Sequence, residues 1–124
     1  MSIIMYKLPE MKSYAQLFSQ ITLDGDISVT ISLKRLFRDS SVLIDIYKDD
    51  ISEETKIISG RVLKSESMVC SPNPSLGFNY YVDCKDVNGI DETLNVDNIS
   101  KFYLQFSYCP DNKDWNLENY LSKF

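Results

Sequence analysis

The sequence predicts an all-β fold: a small antiparallel barrel or sandwich with a short C-terminal helix. Three observations lead there. In "ITLDGDISVTISL" the apolar residues Ile21, Leu23, Ile27, Val29, Ile31 and Leu33 all fall on odd positions, the period of strands with one buried face. Strand-like runs recur at roughly 8–12-residue intervals, separated by turn residues. Only after Pro110 does helical spacing replace alternation, with Leu117, Leu121 and Phe124 in phase.

The chain reads as a single β domain over residues 1–124: an N-terminal arm (1–12), a β core (13–109) and a helical tail (110–124). In the arm, Leu8-Pro9 marks an extended or edge segment, because proline cannot donate to a ladder. "YAQLFSQITL" and "DISVTISL" form a hairpin turned at Asp24-Gly25, a dipeptide suited to positive φ. "KRLFRDSS" is the next turn, and the β-branched run "SVLIDIYKD" the next strand. A charged turn through "DDISEET" leads to a strand over 57–63, with Gly60 as a bulge. "CSPNPSLGF" has loop composition. "NYYVDCKD" alternates, with Tyr80, Val82 and Cys84 on one face and Tyr81, Asp83 and Lys85 on the other. Asn88-Gly89 supplies a turn, and "KFYLQFSYC" places Phe102, Leu104, Phe106 and Tyr108 on one side. In the tail, Asp111 or Asp114 caps a short helix, with Trp115 and Tyr120 beside its apolar stripe.

The 124 residues allow one modest core, and 44% hydrophobic with 25% charged residues is ordinary for a folded domain. A net charge of -5 opposes the Lys/Arg-driven attraction on which nucleic-acid and anionic-membrane binding rest. No stretch approaches the roughly 20 apolar residues of a membrane helix, so no membrane insertion is expected. The opening residues reach Lys7 and Pro9 too soon for a signal-peptide core. Three widely spaced cysteines, Cys70, Cys84 and Cys109, fit a reducing compartment and read as small buried apolar groups.

With no histidine, the chain lacks the usual general base and the commonest metal ligand, and Ser-His or Cys-His catalysis is excluded within it. "DVNGIDE" has a faint likeness to a calcium loop but lacks the ligand spacing and the terminal bidentate Glu, so it reads as turn chemistry. "KRLFR" (34–38) reads as a polar hairpin end beside Asp39. Asn98-Ile99-Ser100 matches a glycosylation sequon by chance. No catalytic residue, metal ligand or cofactor is expected. The aromatic residues carry more information. Phe102, Tyr103, Phe106 and Tyr108 on the last strand, with Trp115, Tyr120 and Phe124 in the tail, are candidates for an interface; the plainer reading is a central strand covered by its own domain and a tail that closes one barrel end.

The order of segments adds to this. "YKLPEM", then "ITLDGDISVTISL", then "RDSSVLIDIYKDD", "IISGRVL", "SPNPSLG" and finally "YLQFSY" follow one another as in the baseplate plug domains of contractile-tailed phages, which the chain resembles over residues 6–108. Relatives often carry a Trp in the strand that here reads "SVLIDIY". The resemblance implies a structural, non-enzymatic subunit of the virion tail baseplate, assembled in the host bacterial cytoplasm. It also implies partners among hub, tube, spike or wedge proteins and several copies in a symmetric assembly. From the residues alone, a soluble β-barrel binding module for a protein or small ligand is the alternative.

Overall fold

Eight strands arranged in two four-stranded antiparallel sheets make up the computed structural model, which describes residues 3–24, 27–36 and 38–108. The strands are β1 (Ile3–Lys7), β2 (Gln16–Asp24), β3 (Ile27–Arg35), β4 (Val42–Lys48), β5 (Lys56–Val62), β6 (Ser67–Cys70), β7 (Tyr80–Lys85) and β8 (Tyr103–Tyr108). One sheet runs β2-β3-β4-β5, a meander of sequence neighbours; the other runs β1-β8-β7-β6. The fold is all-β as expected, but it is a sandwich. The sheets do not close into a barrel, because among the described residues no ladder joins an edge of one to an edge of the other. The expected C-terminal helix, with Trp115, Tyr120 and Phe124, lies outside the described residues.

The alternation in the sequence is the cause of the packing. Val29, Ile31 and Leu33 of β3 and Val42, Ile44 and Ile46 of β4 face inward, where Tyr80, Val82 and Cys84 of β7 and Leu104 and Phe106 of β8 meet them. The inner faces of both sheets thus supply one core. β3 and β4 pair residue for residue from Val29–Lys48 to Arg35–Val42, which keeps their apolar sets on one side. β5 is less regular. Its pairing with β4 shifts register twice, Gly60 has φ +63°, and its N–H donates to the Asp45 carboxylate. This is the bulge expected at Gly60, and it distorts the edge of the meander.

Residues 63–66 carry the chain from one sheet to the other, so β6 begins the second sheet rather than extending the first. β6 is a strand that no alternation in the sequence marks. The segment "CSPNPSLGF" is a loop containing a one-turn 3-10 helix, Pro74–Leu76, capped by the Asn73 side chain on the Ser75 N–H. Lys48 reaches across from the meander and donates to the Leu76 carbonyl, tying this loop to the opposite sheet. The N-terminal segment is an edge strand. β1 pairs with β8 from Ile3–Ser107 to Lys7–Tyr103, after which Leu8 donates its N–H to the Phe102 carbonyl and turns its side chain into the core with Met11.

Cys70 and Cys84 are free and buried, and burial pushes both thiols up to about 12. Neither forms thiolate near neutral pH, so neither is nucleophilic. Iodoacetamide at mildly alkaline pH should leave both unmodified in the native protein and label both after denaturation. Peptide mass spectrometry reads this directly, and native labelling of either would contradict the packing. Cys109 lies outside the described residues.

Candidate interface

The late aromatic residues separate into two groups. Phe102 and Phe106 have no surface to offer a partner: both are fully buried, and with Leu104 they fill the domain's own core. Strand alternation dictates this, since β8 is the second strand of its sheet and its apolar side faces the meander. Tyr108 packs against the core and sets its ring 5.2 Å from that of Tyr80, which in turn lies 5.6 Å from Phe78. Tyr103 is half-buried on the opposite, outward phase of β8, between Lys7 of β1 and Lys85 of β7.

That outward phase is ordered by cross-strand rows. Ile3, Ser107 and Tyr81 form one; Met5, Gln105 and Asp83 the next; Lys7, Tyr103 and Lys85 the third. Ile3 and Met5 are exposed, whereas Tyr81, Asp83 and Ser107 are buried. Burial pushes the Asp83 carboxyl up to about 6, with Lys85 opposing the rise and Glu66 adding to it. The folded state therefore favours neutral Asp83, while the unfolded chain titrates near 3.8. This contribution to stability is complete below the unfolded value and is lost as pH rises through about 6. Relative to Asp83→Asn, the wild-type protein should lose on the order of 2 kcal/mol between about pH 4 and about pH 7. Urea unfolding of both proteins across that range measures it, and parallel stability curves would refute the assignment.

Of the expected turn residues, Asn88 and Gly89 sit in a turn, whereas Asp24 is the last ladder residue of β2, opposite Ile27. Gly25 lies outside the described residues. Asn88 and Gly89 close a turn in which the Gly89 N–H donates to the Asp86 carbonyl, with Gly89 at φ +64°. The Asp86 carboxylate, part of the stretch with the calcium-loop likeness, accepts the backbone N–H groups of Ile90 and Asp91. Among the described residues, no three His, Cys, Asp or Glu side chains gather as metal ligands. No described helix is long and apolar enough to cross a membrane.

Two features escaped the sequence reading. The sequon residue Asn98 is buried and knots the 92–98 loop. Its side chain accepts the Asn95 N–H at 2.8 Å and donates to the Thr93 carbonyl at 2.9 Å and to Glu92 at 3.3 Å. The other is Phe18, 55% exposed on the outward face of the edge strand β2. With Ile51, 51% exposed, it lines a shallow cleft of about 400 Å³ shared with Gln20, Thr30 and Asp50. The signal was present in "QLFSQITL": an aromatic on the polar phase of an alternating, uncharged run.

A second cleft, of about 520 Å³, lies between 62–66 and 91–94, walled by Val62, Lys64, Glu66, Glu92 and Leu94. Compared with protein-family models, curated proteins and solved structures, the chain matches none.

Proposed function

We propose that this protein is a structural subunit of a bacteriophage tail baseplate, in the hub or plug region at the end of the tail tube, working by protein–protein assembly. The observation that carries the reading is the ordered series of motifs from the Leu-Pro arm to the final Tyr strand. Those motifs fall on successive elements of one sandwich: the Leu-Pro arm leads out of β1, the hairpin is β2-β3, the Ser-Gly run is β5 and the Asn-Pro loop joins β6 to β7. The described surface offers strand edges and exposed apolar residues, which suits assembly.

The test is fractionation of purified virions. The protein should travel with isolated tails and be placed by antibody labelling in electron microscopy at the end remote from the head. Its absence from tails, with all of it free in the lysate, would overturn the reading. In that case the 520 Å³ cleft favours the second one, a binding module, which a thermal-shift screen of small ligands would probe.

A further inference from the structure

The four sheet edges are not equivalent. β1 is five residues long and ends at the exposed Lys7, two residues before Pro9. β5 carries Lys56, Arg61 and the Gly60 bulge, and loses register twice. β6 has four residues and a register shift after Met68. Shortness, charge and bulges are the devices that keep an edge from pairing with another chain. β2 has none of them over its regular part. It pairs with β3 without interruption from Gln16 to Thr22, and contains no Lys, Arg or Pro and no charge before Asp24. Among the described residues β3 is its only ladder partner.

We propose that β2 pairs antiparallel with β2 of a second copy, joining two meanders into one eight-stranded sheet across a two-fold axis. Charge chooses the occupant. A chain of net charge -5 repels itself, yet residues 16–22 are neutral, so self-pairing there sets no like charges face to face. The register shift beyond Thr22 confines regular pairing to 16–22, whose midpoint is Ser19. About Ser19, Gln16 opposes Thr22, Leu17 opposes Ile21 and Phe18 opposes Gln20. Leu17 and Ile21, which pack on or in the core, would continue it across the seam. The two Phe18 rings become diagonal neighbours, within aromatic reach, each beside the other copy's cleft. The contact is isologous and closes at two copies. It is carried by the edges alone and stands whether or not the protein is a tail subunit.

Sedimentation velocity of the full chain over a wide concentration range tests it, and the weight-average mass should rise from one chain to two. The double substitution Phe18→Lys with Gln20→Lys puts like charges in opposition and should weaken the dimer by roughly tenfold or more. The pair Phe18→Glu with Gln20→Glu should do the same. Both substitutions are at exposed positions, so circular dichroism and thermal unfolding should show folded monomers. Mixing the lysine and glutamate proteins should restore a dimer containing one of each, because position 18 of one copy opposes position 20 of the other. A wild-type protein monomeric at every concentration overturns the proposal, as does a dimer indifferent to both double substitutions or a mixture that stays monomeric. A wild-type monomer whose β2 edge takes up a strand of a different protein overturns it too.

Discussion

Phe106→Ala should destabilise the protein by about 3–5 kcal/mol, the range for deleting a ring from a core that cannot collapse around the gap. The side chain has no exposed surface and sits between Ile4 of β1 and Val82 of β7 at the centre of the second sheet. Domains of this size are stable by about 5–15 kcal/mol in all, so the variant would stand near its folding threshold. Its melting temperature should fall by more than about 10 °C. Tyr103→Ala, on the same strand but half-buried and facing outward, should cost far less. Urea unfolding of the two variants therefore measures which late aromatics hold the domain and which remain for a neighbour. Equal losses would show that the inward and outward phases of β8 are wrongly assigned.

Asn98→Ala should cost about 2–3 kcal/mol, an outsized loss for a loop residue. The amide is the knot of the 92–98 loop; its removal leaves the Asn95 N–H without its partner and the Thr93 carbonyl with only the 3.2 Å bond from the Asn95 side chain. Asn98→Asp keeps the acceptor but loses both donors and sets a second carboxylate beside Glu92, so it should not rescue. Hydrogen exchange adds a local readout. The Val96 N–H, which donates to the Ser40 carbonyl and ties the loop to the β3–β4 turn, should exchange faster in either variant. Unchanged stability and exchange would mean that the loop is held by Leu94, Val96 and Ile99 in the core instead.

How much of this was legible in the sequence depends on which physical term decides each feature. β2, β3, β4, β5, β7 and β8 could be read because alternation is local and their inward residues carry it. β6 could not: four residues, "SMVC", are too few for a period to show, and their strand character comes from pairing with β7. Barrel or sandwich is decided by whether edge strands meet. The bulge at Gly60 was visible, but not that the chain changes sheets after β5. The alternation in "KFYLQFSYC" correctly separated Phe102 and Phe106 from Tyr103 but could not say whose core the apolar side would fill. Phe18 looked unremarkable because an edge exists only once the strand order is known. Asn98 was hidden behind the sequon pattern, since a buried amide and an exposed acceptor share the same letters.

The pairing of β1 with β8 has a kinetic consequence. Ile3 lies opposite Ser107, so the second sheet cannot be completed until nearly all of the described chain has been made. The meander needs only sequence neighbours and can form early. During synthesis, β1 must wait unpaired, an apolar "IIMY" strand without its mate, while the meander condenses behind it. Joining β1 to β8 closes the longest loop in the fold, the step that topology makes slowest.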